Sequence, residues 1–509
     1  MMKNKLSKYL VLTVVVAAVS NLGCSKKQLD LLPRSPTEAT YFSTEGEFTR
    51  AVIGSYAKLT DFYGFVTTSY SAGPGSTLMP IYLLPGDDIT TNNGNEEFEI
   101  FGSLQPSSGR VTDLYRTCYQ LISRANVVLE KTATVAPGVY TTAGLKDIHT
   151  GEALFLRGFA YYYLWNYFGT APLSNLRVTA NSQFTPPSST GTQLLEQAIK
   201  DFTDAAAKLP ASWGNAYKGR ATKNAAYGFL GKSLVFKASV TNNVADYTSA
   251  IAAFNSIAGL SLTPKFDDNF AWNTENNEES LFEFQASNAS GGNNIWLPND
   301  FDNPIGNLSI AWNYYTDQEL YGNSRFFATQ KLADAFDNAD PRKALTLNLT
   351  NRNVNKYALR NQNSQGWQPA SINNYRLLRL ADIKLLKAEA LLGSGGSISE
   401  AIQLINEVRT RARNMVVGGT IPANRSLTET TKSVVFGWIN DERLVELAGE
   451  GQRWPDLRRW QLGGAIALNN AYFGSNVSQL SFQLPKHLNF PIPNAEIDVN
   501  PNVTQNAGY

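Results

Sequence analysis

The residues best able to do chemistry in this chain are pairs of adjacent carboxylates. They occur at Asp87-Asp88, Glu96-Glu97 and Glu278-Glu279. Glycoside hydrolases use two carboxyl groups facing one cleft, about 5 Å apart in retaining enzymes and about 6.5–9.5 Å apart in inverting ones. Adjacent side chains usually point apart, so these pairs are weak evidence for such an enzyme. A histidine-based triad can use only His149 or His487, the two histidines of the chain.

A second chemistry is indicated by a long segment rich in asparagine and glycine, residues 285–316. A loop of this length is uncommon unless it is functional. Its aromatic residues are Trp296, Phe301, Trp312, Tyr314 and Tyr315. Aromatic rings pack on the apolar C–H face of a pyranose, and Asn and Asp side chains bond its hydroxyl groups. The alternative is that these rings pack the loop onto the body of the protein.

Composition excludes several other classes. The 509 residues include 44 Lys and Arg against 43 Asp and Glu, a net charge of +1, so there is no basic field for nucleic acid. Two Cys and two His exclude a disulfide framework and a zinc site built from several such ligands. We predict no metal site, no cofactor and no catalytic residue. The length predicts two to four units or one elongated array.

The first residues predict an export signal followed by a lipid anchor. Three lysines precede an apolar stretch at 10–19, which is too short to span a bilayer. Leu22-Gly23-Cys24 follows, and a small residue before a lone Cys resembles a bacterial lipobox. We therefore predict a signal peptide at 1–23 and an acylated Cys24 that anchors the mature protein. The alternative is an ordinary signal peptide that happens to contain a cysteine.

The scaffold is predicted to consist mostly of helices in pairs. Residues 223–239 and 247–257 carry apolar side chains at helical spacing, as do 376–392 and 401–412, and 151–168 forms a further helix. Helix-turn-helix units of roughly 35–40 residues resemble tetratricopeptide repeats. Any α-hairpin has the same periodicity, so that alternative stays open.

Other segments are predicted to build the core. Residues 279–285 are predicted to form a strand, and Trp272, which ends a Phe-x-x-x-Phe-x-Trp run before it, is expected in the core. Cys118, in a helical pattern at 113–130, is expected to be a buried apolar residue. The tryptophans expected to pack the fold are Trp165, Trp438, Trp454 and Trp460.

Several stretches together resemble the SusD/RagB family of Bacteroidetes outer-membrane lipoproteins. They occur in order and cover nearly the whole mature chain. The stretches are Leu29-Asp30 with Tyr41-Phe42 and Thr44-Glu45, ALFLRGFAYYYLWNYFGTAP (153–172), NYRLLRLADIKLLKAEAL (374–391), AIQLINEVRTRA (401–412), DERLVELAGEGQRWPDLRRW (441–460) and PIPNAEIDVNPNVTQNAGY (491–509).

The resemblance implies a SusD-like fold: a mostly α protein in which tetratricopeptide-like helix pairs form an α-α superhelix supporting a loop-rich part with a few short strands. It implies a non-enzymatic, surface-exposed outer-membrane lipoprotein of a polysaccharide-utilisation system. Such proteins capture oligosaccharide or polysaccharide and deliver it to a SusC-like TonB-dependent transporter. The tetratricopeptide-like side is then the face that meets the transporter.

The resemblance assigns no ligand residue by position, because the aromatic platforms of the family differ among its members. One candidate group is Trp296, Trp312, Tyr314 and Tyr315. The other follows Pro85-Gly86 and consists of Asp88, Asn92, Asn93, Asn95, Phe98 and Phe101. The alternatives are a binding lipoprotein for non-glycan cargo such as a peptide, a glycoside hydrolase, and a repeat scaffold that binds only proteins.

The charged residues of the motifs are expected to be structural. Arg443 and Glu446 are three apart on a helix and are expected to pair. Arg453, Asp456, Arg458 and Arg459 surround Pro455, which fits the first turn of a new helix, and are expected to form a paired network against the core. Asp382 and Glu389 are interpreted in the same way. The Pro-x-Pro run near the C-terminus is a rigid strap.

The motifs also divide the chain. Residues 1–23 are the signal peptide, 24–260 the N-terminal region with tetratricopeptide-like helix pairs, and 261–509 the C-terminal region. The last region contains the ligand loops at 285–316 and the helices at 376–460.

Overall fold

The computed structural model describes residues 41–63, 78–92, 96–180, 185–286, 326–357, 373–474 and 479–509. The signal peptide, Cys24 and the aromatic residues of the loop at 285–316 lie outside these residues. No helix in the described ranges is long and apolar enough to cross a membrane.

The described residues form a mostly helical protein. The α-helices in chain order are α1 Glu45–Tyr56, α2 Leu59–Tyr63, α3 Met79–Leu83, α4 Glu97–Ile100, α5 Gly109–Thr134, α6 Leu145–Phe168, α7 Gln193–Lys208, α8 Lys223–Thr241, α9 Val244–Asn255, α10 Gln330–Ala335, α11 Arg342–Thr346, α12 Leu380–Ser394, α13 Ile398–Asn414, α14 Lys432–Glu446, α15 Arg453–Leu462, α16 Asn470–Phe473 and α17 Asn494–Val499. The strands are β1 Ile89–Thr91, β2 Ser280–Phe284, β3 Phe326–Ala328 and β4 Tyr375–Arg379.

The predicted helix start at Thr44-Glu45 is confirmed. The Thr44 hydroxyl accepts a hydrogen bond from the Glu47 backbone N–H, and the Glu47 carboxylate accepts one from the Thr44 N–H. This reciprocal capping satisfies backbone donors that would otherwise lack partners at the first turn.

The predicted helix pairs are present. Helices α8 and α9 pack closely, and Gly231 makes their approach possible, because a methyl group at that position would overlap the Phe254 ring. Helices α12 and α13 form the second pair, and α9 packs against α12. One hydrophobic cluster runs from Val52 to Val503, so residues on both sides of position 260 share a core.

The helix predicted at 376–392 begins later, at Leu380. Residues Tyr375–Arg379 instead form β4, which pairs antiparallel with β2, the strand predicted at 279–285. All five residues of β4 are buried. Leu378 lies three residues before Ala381, a spacing that also suits a helix, and pairing with β2 decides the outcome.

Two charge clusters in the core connect the motif segments. In the first, the Arg379 guanidinium bonds Glu279 at 2.9 Å, Glu446 at 2.7 Å and Glu450 at 2.8 Å. Arg342 joins Glu446 to Glu442, at 2.8 and 2.6 Å. Burial alone would raise the pKa of Glu446, but three guanidinium groups, including that of Arg411, hold it well below its usual value.

The second cluster corrects one predicted pair. Arg443 does not pair with Glu446; it bonds Asp382 and Asp456, both at 2.7 Å. Arg459 bonds Asp456 at 2.9 Å and Glu389 at 2.7 Å. Helical spacing brings Arg443 and Glu446 to neighbouring positions, but each pairs instead with groups on other helices or on β4. The predicted paired network is confirmed for Asp382, Glu389, Asp456 and Arg459, and Arg453 pairs with Asp87.

Arg458 differs from its neighbours. Its guanidinium donates to the Leu488 carbonyl at 2.7 Å and the Asn489 side chain at 2.6 Å, and lies 4.4 Å from the Trp165 ring centroid. Burial lowers its pKa to about 9. It therefore holds the C-terminal strap against α6.

Most predicted core residues are buried. Cys118, Trp165, Trp454 and Trp460 are at most 1% exposed, and Trp438 packs half-buried against a smaller cluster of α12, α13 and α14. Trp272 is 46% exposed, so its predicted core position is wrong. Phe266 and Phe270 take the core positions, and the chain then turns outward, with the Thr274 N–H bonded to the Ala271 carbonyl.

Candidate ligand-binding surface

The described part of the predicted ligand loop begins at an amide cluster, which we define as Asn276, Gln285 and Asn374. The Gln285 side chain donates to Asn276 at 3.0 Å and accepts from it at 2.9 Å. Asn374 donates to Gln285 at 3.1 Å and to Glu283 at 2.8 Å, and accepts from the Ala286 N–H at 2.7 Å. The end of β2, the start of β4 and the turn before β2 therefore meet at the point from which residues 287–325 continue.

Beside this cluster lies a carboxyl group, that of Glu275, whose pKa is raised. Glu275 accepts the Asn374 backbone N–H at 2.7 Å. Burial, followed by the nearby Glu283 carboxylate, raises the pKa of Glu275 to about 8. A neutral carboxyl can both donate and accept hydrogen bonds, which suits a ligand with hydroxyl groups.

Two aromatic side chains are exposed on the described surface, Trp272 at 46% and Tyr217 at 48%. Trp272 precedes Glu275 by three residues. The Arg376 guanidinium donates to the carbonyl of Ala271, the residue before Trp272, at 3.0 Å and so fixes the backbone there. Tyr217 lies in the short 3₁₀ helix Asn215–Tyr217 between α7 and α8. Sequence reasoning did not single out Tyr217, although Trp213, Tyr217 and Arg220 in one short interhelical loop were a usable signal.

The first candidate group from the sequence, Trp296, Trp312, Tyr314 and Tyr315, lies outside the described residues. In the second group, Asn93 and Asn95 also lie outside them, and Asn92 is exposed at the end of β1. Asn92 therefore stays a candidate ligand residue.

Phe98 and Phe101 are not open to solvent. Phe98 is fully buried, with its ring 5.4 Å from that of Phe490, and Phe101 is 1% exposed against Trp454 and His487. Neither ring presents a face to a ligand, so we remove both from the candidate ligand residues. Both rings belong to the hydrophobic core.

The Asp87-Asp88 turn is also part of the fold. Arg453 and Lys331 bond the Asp87 carboxylate at 3.0 and 2.6 Å and, against the effect of burial, hold its pKa below the usual value. The Gly449 N–H donates to Asp88 at 2.9 Å, and burial raises the pKa of Asp88 to about 6. At 2% exposure Asp88 joins this turn to the segment after α14, and we remove it from the ligand candidates as well.

Family models match nearly the whole described chain. The model described as "SusD family" matches residues 236–509, and the model described as "Starch-binding associating with outer membrane" matches residues 38–234. The chain belongs to the SusD family, in agreement with the resemblance of its motifs.

Individual relatives agree with this assignment. The chain is 26% identical to SusD-like protein P2 of Formosa agariphila, over 99% of this chain and all of that one. The crystal structure of a SusD homolog from Bacteroides thetaiotaomicron superposes with a TM-score of 0.74 at 21% identity, covering 93% of this chain and 99% of that one. A laminarin-binding SusD-like protein gives 0.70 at 22% identity, covering 92% and 100%. The structural likeness shows a shared SusD-like fold.

Proposed function

We propose that this protein binds glycans at the cell surface and delivers captured oligosaccharide or polysaccharide to a SusC-like TonB-dependent transporter. Its membership of a family described as starch-binding and associated with the outer membrane carries the proposal. Trp272 lies close to the amide cluster in sequence, and the loop of Tyr217 contacts it through Gly219. Both side chains are exposed, and aromatic side chains of this kind recognise a pyranose.

We infer binding without catalysis. In two of the carboxylate doublets that suggested a hydrolase, one member serves the fold: Asp87 is held by Arg453 and Lys331, and Glu279 by Arg379 and Arg411. A carboxylate that is committed to two cations in the core is a poor nucleophile or general base toward an external sugar.

Attachment to the outer membrane is proposed to occur through acylated Cys24. The lipobox-like stretch before Cys24 supports this, and so does the family description. In this proposal the helix pairs α8–α9 and α12–α13 lie on the side of the protein that faces the transporter.

A binding screen tests the function. The purified protein is mixed with starch, laminarin and other polysaccharides, and both retention and release of reducing sugar are measured. Retention without sugar release is the expected result. Sugar release would favour a hydrolase, and no retention on any polysaccharide would favour peptide cargo or a protein-only scaffold.

A further inference from the structure

We propose that the loop at 210–223 carries a saccharide contact of its own, formed by Trp213 and Tyr217. It is distinct from the aromatic residues of the loop at 285–316 and from Asn92. The inference rests on the proposed function, since it adds a second contact for the same class of ligand.

The two rings form a pair at the surface. Trp213 precedes the 3₁₀ helix Asn215–Tyr217, and one turn brings its ring centroid to 6.2 Å from that of Tyr217, with the planes inclined by 64°. Tyr217 is 48% exposed and Trp213 half-buried. Two adjacent aromatic rings at this inclination form an angled apolar surface that can contact more than one sugar unit of a chain.

The pair is held in place by a buried ion pair. The Arg220 guanidinium lies 4.1 Å from the Trp213 ring centroid and 5.4 Å from that of Tyr217. Arg220 in turn bonds Glu152 of α6 through two parallel hydrogen bonds of 2.6 and 2.5 Å. A bidentate pair of this kind fixes the plane of the guanidinium and therefore of the indole that stacks on it.

Further bonds fix the loop itself. The Trp213 indole N–H donates to the Ala221 carbonyl at 2.8 Å, and the Ala221 N–H donates to the Tyr56 hydroxyl at 2.9 Å. Tyr56 donates to Glu152 at 2.9 Å. The half-buried Trp213 ring, which these buried polar bonds hold in place, loses little freedom when a ligand packs beside it, and this favours binding.

The ring pair borders polar groups that suit sugar hydroxyls. Gly219 has a φ of +97° and lies so close to Gln285 that a methyl group there would overlap the Gln285 side chain. Gln285 belongs to the amide cluster with Asn276. Apolar rings beside amide groups suit a pyranose chain, which has both apolar C–H faces and hydroxyl groups.

The test compares Tyr217→Ala, Tyr217→Phe and the control Leu176→Ala in the full-length protein, with starch and laminarin as probes. Leu176 is 75% exposed, so its truncation controls for loss of exposed apolar surface. Tyr217→Ala is expected to weaken binding about threefold to tenfold while the melting temperature stays at the wild-type value. Tyr217→Phe and Leu176→Ala are expected to bind like the wild type.

Equal binding by Tyr217→Ala and the wild type overturns this inference and leaves the proposed function intact. A Tyr217→Phe variant as weak as Tyr217→Ala overturns the stacking role of the ring. A wild-type protein that is retained by none of the polysaccharides in the binding screen overturns the proposed function and this inference together.

Discussion

Arg379 and Glu446 are bonded across the junction between the small sheet and the helices. The Nη1 group of Arg379, at the end of β4, donates to Oε1 of Glu446, at the end of α14, at 2.7 Å, and both side chains are at most 1% exposed. The two family-motif stretches at 374–391 and 441–460 therefore meet at this bond. The charged motif residues therefore connect the sheet to the helices in the core.

Removing Glu446 should destabilise the protein strongly. Glu446→Ala leaves Arg342, Arg379 and Arg411 buried with one counter-charge fewer, and we expect a loss of about 3–5 kcal/mol in the free energy of unfolding by urea. Glu407→Ala is the control, because Glu407 is partly exposed and pairs only with Lys384 in the described contacts. Its expected loss is below about 1 kcal/mol. Equal losses would contradict a structural role for the buried cluster.

Two helical glycines should respond in opposite directions to alanine. Gly231→Ala pushes a methyl group into the Phe254 ring, and overpacking of this kind costs about 1–3 kcal/mol. Gly437 in α14 has no atoms around its missing side chain, so Gly437→Ala is expected to stabilise the protein by up to about 1 kcal/mol. Thermal unfolding of both variants measures the effect. A stabilised Gly231→Ala variant would contradict the close α8–α9 packing.

Stability should fall with acidification partly because of His149. Burial, followed by nearby Arg220, lowers the pKa of His149 to about 4. Since the unfolded state binds the proton with a pKa near 6.5, the unfolded state gains protons first, and stability is lost as the pH falls from about 6.5 toward 4. At pH 5 the protonation of His149 in the unfolded state lowers the free energy of unfolding by about 2 kcal/mol relative to neutral pH.

His149→Gln removes this proton-binding site and keeps a polar side chain beside Tyr140 and Thr49. Unfolding by urea at pH 7 and pH 5 should show a smaller decrease in stability for the variant than for the wild type. Identical decreases would mean that His149 does not contribute to the pH dependence.

Membrane attachment should depend on Cys24. Cys24→Ala removes the thiol that the lipobox-like stretch presents for acylation, so we expect the variant to leave the detergent phase in a phase-partitioning experiment. Cys118→Ala is the matched control, since Cys118 is buried in α5. A Cys24→Ala protein that still partitions with detergent would contradict the anchor.

Aromatic residues of the ligand loop should affect binding and not stability. Trp296→Ala or Trp312→Ala is expected to weaken polysaccharide binding with a nearly unchanged melting temperature. The contrasting variant is Trp454→Ala, which removes a fully buried ring and should cost about 3–5 kcal/mol of stability. A comparable loss of stability in Trp312→Ala would place that ring in the core.

The helical framework could be predicted because apolar periodicity and capping residues are local signals. The start of α1 at Thr44-Glu45 and the pair α8–α9 followed from them. The start of α12 did not, because the strand conformation of 375–379 depends on pairing with β2, about a hundred residues earlier. The partners of Arg443 could not be predicted either, since Asp382 and Asp456 reach it from other helices.

The ligand surface was harder to predict because loop aromatics give no periodic signal. Phe98 and Asp88 have residue types that suit a sugar, yet the fold uses both internally. Trp272 was expected in the core from its spacing to Phe270, and the turn at Ala271 brings it to the surface. Exposure in these segments is decided by tertiary contacts.

The most direct test of the central claim is calorimetric titration of the purified full-length protein with starch and laminarin, combined with a reducing-sugar assay on the same mixtures. Saturable binding of at least one polysaccharide without release of reducing sugar is the predicted result. Release of reducing sugar, or the absence of binding to every polysaccharide of the binding screen, would contradict the account.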